Sequence, residues 1–505
     1  MTQALVALDT DRIKDYVFAT GKLAEIRGAS ALLDYLNREE MPCLVRGEKI
    51  YAHGGSGLFV VPSNQAETSI QSVQKHYQEA TESATVTGAK IELPSNFEEE
   101  SNLRPYWRRL SLQLRAAKER NASPTSIVTH SFLRPCVSCG SYHAANTYFE
   151  ADAVRPVLLC QSCYIKHRED QQIKGEIPKL VRGELPPRPN RLWHRLVSEL
   201  QQANYSFKGL SRPEDFDALG KQSSPKDYLG LIYADGDDMG RNLEGIPSLK
   251  EMRRFARAVD EGIYGAVKHA ILGHLQPEPG ANSLPFDVLL LGGDDLVIVT
   301  TAHTAVEVAL TVMEQFPALT EEYCGQRLSL SVAVIWAHIK FPLGSLVELA
   351  ESTLKFAKKE RAKRRLTEGL LNFLVVSSPN HLDFGDYYKS TLKEEHLNET
   401  LYRTMRPYTM REMHRLVQAK RDLATASRGK LEQLRSALFK RRHQAMLEGL
   451  ITLLRWRDVE QQQHIRQLMS DFAADQTELF PWIRRNSHTY HTPLLDLVEL
   501  FDFIP

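Results

Sequence analysis

Apolar and polar positions fall into one pattern that occurs twice: an apolar run ending in an aspartate, a helical stretch, then a second apolar run interrupted by two glycines. The first copy opens with Val6–Thr10 (VALDT) and reaches Ile50–Val61 (IYAHGGSGLFVV). The second opens with Ile232–Gly236 (IYADG) and reaches Val288–Val299 (VLLLGGDDLVIV). Each glycine-centred run predicts a β-hairpin with a tight turn. Periodicity predicts helices over Leu23–Asn37 and Gln65–Glu82 and a strand at Ala89–Leu93 in the first copy. In the second it predicts a helix over Ser248–Leu275, a strand over Leu328–Trp336 and a helix over Leu343–Arg365. This reads as a β-α-β-β-α-β order, with an extra helix expected between the hairpin and the Leu328 strand. That is the ferredoxin-like order of palm domains, so the expected fold class is α+β with two ferredoxin-like palms.

Between the copies, paired cysteines precede a proline-rich polar stretch, Pro178 to Pro213, that reads as connecting structure. After about Pro379 the pattern becomes nearly all helical, with long Leu/Ala/Met periodicity over Met410–Arg457. The expected division is a first, degenerate palm over 1–103, a zinc-binding insert and linker over 104–226, a second palm over 227–378 and an α-helical C-terminal domain over 379–505. A chain of 505 residues suits three or four domains at roughly 100–200 residues each.

Composition narrows the class. Hydrophobic residues at 42% and charged residues at 25% are those of a globular protein rather than a disordered one. Lys plus Arg and Asp plus Glu both count 63, so no overall basic field announces a nucleic-acid binder. No stretch approaches the ~20 apolar residues of a membrane span, and no secretory signal opens the chain, so a cytoplasmic location without membrane attachment is expected.

Cys136-Val-Ser-Cys139 and Cys160-Gln-Ser-Cys163 have the spacing of a four-thiolate zinc site. A closed thiolate shell leaves no open position, so this Zn²⁺ is expected to be structural. Cys43 and Cys324 lack such spacing and are expected as small core residues. The seventeen histidines form no ligand pair, and His53 and His338 are expected to be structural.

The chemistry concentrates in the second copy. In a palm the end of the first strand faces the tip of the adjacent hairpin, so Asp235 is expected near Asp294 and Asp295 despite about sixty intervening residues. Neighbouring strands lie about 4.8 Å apart, close enough for carboxylates to share a hard divalent cation, Mg²⁺ or Mn²⁺. Paired metals of this kind activate an attacking hydroxyl and stabilise a pyrophosphate leaving group. Gly292 and Gly293 let backbone approach a triphosphate. A Gly-Gly-Asp-Asp tip alone is also an ordinary turn; the flanking apolar runs and the upstream Asp-Gly-Asp-Asp favour catalysis. Asp237 and Asp238 read either as supporting acids or as helix caps. The first copy's tip, Gly54-Gly55-Ser56-Gly57, lacks carboxylates and is expected to be inactive as a transferase.

Tyr233–Gly240 (YADGDDMG), Gly292–Asp295 (GGDD) and Leu328–Leu343 (LSLSVAVIWAHIKFPL) resemble the large palm-domain cyclase subunit of type III CRISPR effector complexes. Asp9–Phe18 (DTDRIKDYVF) and Ile26–Leu33 (IRGASALL) are similar to that family's first palm, so the resemblance covers nearly the whole chain. It implies synthesis of cyclic oligoadenylate from ATP, triggered by target RNA. Asp235, Asp294 and Asp295 would then be the catalytic metal ligands, and Gly236, Gly292, Gly293, Lys358 and Ser56 nucleotide contacts. Lys358 is included because Ala350–Lys359 (AESTLKFAKK) is similar to the family helix whose lysine lies over the phosphates; the helix's other basic residues read as a solvated face. Ser56 would contribute to a composite site between the palms. Other effector subunits, guide RNA and target RNA are the implied partners. Two departures stand out: the chain starts at the first palm and holds no adjacent His-Asp pair, so the family's histidine-aspartate nuclease is expected to be absent, and the chain is short. A stand-alone antiphage cyclic-dinucleotide cyclase and a catalytically silent scaffold are the alternatives. Ring size, linkage and base preference are not written in these residues.

Overall fold

The computed structural model describes residues 2–120, 132–148, 156–188, 190–376, 383–473 and 477–505. The expected boundary at 378–379 lies outside the described residues.

Both palms form. The first sheet runs Glu48–His53, Ser56–Pro62, Gln3–Thr10, Val86–Leu93, which is second, third, first, fourth in chain order. The second repeats this order as Phe286–Gly292, Asp295–Thr301, Tyr228–Gly236, Leu330–His338, and adds Leu371–Val375 parallel to the last. The helix Ala305–Cys324 between hairpin and fourth strand is therefore an integral crossover of the ferredoxin-like motif rather than an extra element. What is additional is Leu343–Arg364 with the Leu371–Val375 strand. Sequence order alone did not reveal which helix was added, because both carry similar periodicity.

Amphipathic spacing places the helices. Ala66–Thr81 buries Ala66, Ile70, Val73 and Tyr77, one stripe at helical period. Leu249–His274 packs along Ala305–Cys324 over the second sheet. Ser248 begins the former by accepting from the Glu251 N–H.

The palms meet reciprocally. The first crossover helix of each, Leu23–Tyr35 or Leu249–His274, packs against the second strand of the other, Phe286–Gly292 or Glu48–His53. Arg38 donates two hydrogen bonds of 2.8 Å to Asp260 across this interface. Deeper in, Arg27 of the first palm bonds Asp170 of the insert and Asp287 of the second palm, and Arg212 also bonds Asp287. All four side chains are buried, and each buried charge is met by an opposite one.

The insert is more firmly packed than its composition suggests. Gln161–Val181 lies against Leu23–Tyr35 so closely that a Cβ on Gly28 would sit 1.7 Å from the Lys166 carbonyl oxygen. The proline-rich stretch contains the helix Leu192–Gln202, with Trp193, Leu196, Val197 and Leu200 buried. Arg104–Arg120, expected in the insert, packs on the Val86–Leu93 and Gln3–Thr10 strands of the first palm.

The C-terminal region is mainly helical, and Met410–Arg457 divides into Met410–Asp422, Arg428–Leu438 and Arg442–Leu454. It also holds a five-stranded sheet of three-residue strands, too short to show a period. No helix among the described residues is long and apolar enough to cross a membrane.

Candidate active site between two palms

The second palm's first strand, Tyr228–Gly236, is central in its sheet and almost wholly buried, which accounts for its unbroken apolar run. Its register, with Ala234 opposite Leu296, sets Asp235 beside Asp295 at the start of the neighbouring strand. Asp294 occupies the turn, and its Oδ2 lies 2.8 Å from where a Gly236 Cβ would be, so a side chain at 236 would displace the carboxylate or Met239. Gly293 takes the left-handed φ of 63° that a tight hairpin requires.

The expected residues Asp235, Asp294, Asp295, Gly236 and Lys358 thus come together. Lys358 projects from Leu343–Arg364 and bonds both Asp235 Oδ2 and the Gly236 carbonyl at 2.6 Å. Burial, then the charges of Asp235 and Asp295, push the Asp294 carboxyl up to about 8. Burial and Asp235 push Asp295 up to about 6, against the opposing pull of Lys14 and Lys358. Asp295 Oδ1 is buried without a hydrogen-bond partner. Two carboxylates with raised pKa values, Asp235 beside them and an oxygen with no hydrogen-bond partner among the described residues form a hard-oxygen donor set suited to a divalent cation.

Asp237 and Asp238 do not act as side-chain caps. Asp237 is buried and accepts from the Ser329 and Ser331 hydroxyls at 2.9 and 2.8 Å. Asp238 stands at the N-cap of Met239–Gly245 with φ 56° and no side-chain cap bond, paired instead with Arg361 at 2.7 Å. Arg361, hidden in what read as a solvated basic face, also bonds Ser329 and two backbone carbonyls, fixing the turn after Asp235. Helical phase carried that signal: Ala350, Leu354, Ala357 and Arg361 share the buried stripe.

The first palm repeats this plan with altered chemistry. Asp9 takes the place of Asp235 and pairs with Lys118 at 2.6 Å, as Asp235 pairs with Lys358. Asp11 accepts from Thr85 and Thr87 as Asp237 accepts from Ser329 and Ser331. Strand register aligns Ser56 with Asp295, since His53 pairs with Ser56 and Gly292 with Asp295. Gly55 therefore stands where the second palm has Asp294. The Ser56 hydroxyl donates to the His53 carbonyl at 3.4 Å. The two hairpin tips touch: a Cβ on Gly54 would lie 2.7 Å from the Gly293 Cα. His53 is half-buried, its pKa lowered by desolvation, 3.7 Å from Asp260.

The four cysteines converge, with Sγ atoms all within 4.8 Å and Cys139 and Cys160 at 3.8 Å. That is about the edge of a tetrahedron with Zn–S bonds of roughly 2.3 Å. Lys166, buried and bonded to the Tyr16 carbonyl at 2.6 Å, joins this cluster to the first palm. Cys43, expected in the core, is exposed, and Cys324 is half-buried, donating to the Thr320 carbonyl. Each belongs to a helix whose buried stripe passes through other positions.

Sheet order and clustered aspartates define the second unit as a palm domain. Residues 228–367 match the family model described as Cas10/Cmr2, second palm domain. Three solved structures share the fold. They are the Csm1–Csm4 cassette in complex with cA4 (15% identity, TM-score 0.54, 90% of this chain and 65% of that one), Csm1 in T. onnurineus (15%, 0.54, 90% and 63%) and the Csm1–Csm4 cassette in complex with one ATP (15%, 0.54, 100% and 70%). The chain thus spans about two thirds of the length of these relatives. No curated protein matches it.

Proposed function

We infer that the protein is a nucleotidyltransferase that joins ATP into cyclic oligoadenylate as a subunit of a type III CRISPR effector. The observation that carries this reading is the meeting of Asp235, Asp294, Asp295 and Lys358 at one strand end within a Cas10/Cmr2 second palm. Structures sharing the fold are of proteins in complex with cA4 and with ATP, which supports adenine as the base.

Asp235, Asp294 and Asp295 would hold Mg²⁺ or Mn²⁺, which when bound supplies charge neutralisation at the phosphates and a more acidic attacking hydroxyl. A ribose hydroxyl oxygen of one ATP bonds to the α-phosphorus of the next, the bond to pyrophosphate breaks, and the hydroxyl proton passes to solvent. Gly292 and Gly293 present backbone without side chains to the triphosphate. Lys358, once its carboxylate partner takes up metal, is free to turn its ammonium to phosphate oxygens. The four cysteines would hold a structural Zn²⁺ that braces the first palm through Lys166. Leu447, Leu450, Ile451 and Leu454 form an exposed row on Arg442–Leu454, which supports docking of other effector subunits. Guide and target RNA would act through that assembly.

The test is incubation with labelled ATP and Mg²⁺ or Mn²⁺, alone and assembled with partner subunits and target RNA, followed by mass analysis. Cyclic oligoadenylate is expected, rising with target RNA. The Asp294→Ala/Asp295→Ala protein should lose kcat by about 10² or more while staying folded. Turnover by that variant equal to the unaltered protein would refute the assignment.

A further inference from the structure

The two palms present the same turn after their first strands. Arg12 and Asp238, each three residues beyond the strand-end aspartate, both adopt left-handed backbone with φ 48° and 56°. Each starts a short helix, Ile13–Val17 or Met239–Gly245. Two residues further the symmetry breaks. The second palm has Gly240, exposed and with open space about it; the first has Lys14.

Lys14 reaches out of its own palm. Its ammonium lies 4.8 Å over the Tyr233 ring and 3.9 Å from Asp295 Oδ1. The first contact is a cation–π placement that orients the side chain; the second is too long for a hydrogen bond. Lys358, by contrast, already bonds Asp235 and Gly236 with two of its three N–H donors. Lys14 is only about one-third exposed and is held at the catalytic carboxylates by attraction, with donors left to use. A lysine so held suits the oxygens of a phosphate chain, and the carboxylate beside it suits the accompanying divalent cation.

Resting on the nucleotidyltransferase reading, we propose that Lys14 is a triphosphate ligand which the first palm donates to the second palm's catalytic site. The exchange is one-way, since Gly240 returns nothing to the first palm. The palm that lacks catalytic carboxylates therefore supplies a cation to the palm that has them.

Binding of an ATP analogue with an unreactive α–β bridge, and of AMP, is measured on the full chain with Mg²⁺ and with Mn²⁺, for the unaltered protein, Lys14→Ala and Lys14→Arg. Lys14→Ala is expected to weaken the analogue at least 10-fold, the loss of one charge-assisted contact, and to leave AMP and the unfolding temperature unchanged. Lys14→Arg should restore the analogue to within about 3-fold. Equal weakening of analogue and AMP, or a lowered unfolding temperature with no rescue by arginine, would assign Lys14 to packing and overturn the proposal. Analogue affinity unchanged in Lys14→Ala would overturn it while leaving the nucleotidyltransferase reading intact. Absence of analogue binding by the unaltered protein with either metal would overturn both.

Discussion

Asp294 is the member of the carboxylate cluster most opposed to ionisation, and Asp294→Asn tests the electrostatics of the proposed site apart from its chemistry. Burial and two neighbouring aspartates lift its carboxyl from 3.8 to about 8. The folded protein therefore binds this proton more tightly than the unfolded chain does, and folding stability falls as pH rises between these values. Below pH 3.8 the group costs nothing; above pH 8 its full penalty is present. At about 1.4 kcal/mol per pH unit, that penalty is at most on the order of 6 kcal/mol. The assay is urea unfolding of protein dialysed free of Mg²⁺ and Mn²⁺ but retaining zinc, at pH 6 and at pH 8.5. Asparagine keeps the shape and removes the charge, so Asp294→Asn should be more stable than the unaltered protein at pH 8.5, with a smaller difference at pH 6. Added Mg²⁺ should stabilise the unaltered protein at pH 8.5 and have little effect on the variant. Parallel pH profiles for the two proteins without metal would refute the argument that the carboxylates repel one another.

Three further outcomes are expected. Gly28→Ala should destabilise the protein by about 3 kcal/mol in thermal or urea unfolding, because the added methyl would meet the Lys166 backbone 1.7 Å away and force two helices apart. Metal analysis should find one tightly held Zn²⁺ per chain, and Cys136→Ser should lose it together with solubility or folding. Gly54→Ala should lower ATP turnover by about 10-fold or more: its Cβ would press on Gly293 at 2.7 Å and its φ of 63° disfavours alanine, so the turn that carries Asp294 must shift.

Sequence by itself determined the two palms, because a strand ending in aspartate and a hairpin centred on two glycines are local patterns that survive without knowledge of neighbours. It likewise singled out Asp235, Asp294 and Asp295, since hard-metal chemistry needs carboxylates and the double glycine marks a tight turn that places two of them at a strand end. The cysteine spacing was legible for the same reason: a tetrahedral ion constrains ligands close in the chain. Tertiary structure alone decided what depends on phase and on distant partners. Whether Arg361 lies in solvent or beneath Asp237 and Asp238 is fixed by the rotation of its helix on the sheet, which composition does not record. The one-residue alignment of Ser56 with Asp295 follows from strand register rather than from the matched glycines. Lys14 acquires its place beside Asp295 only because the palms pack face to face, bringing together residues that nothing in the linear sequence relates.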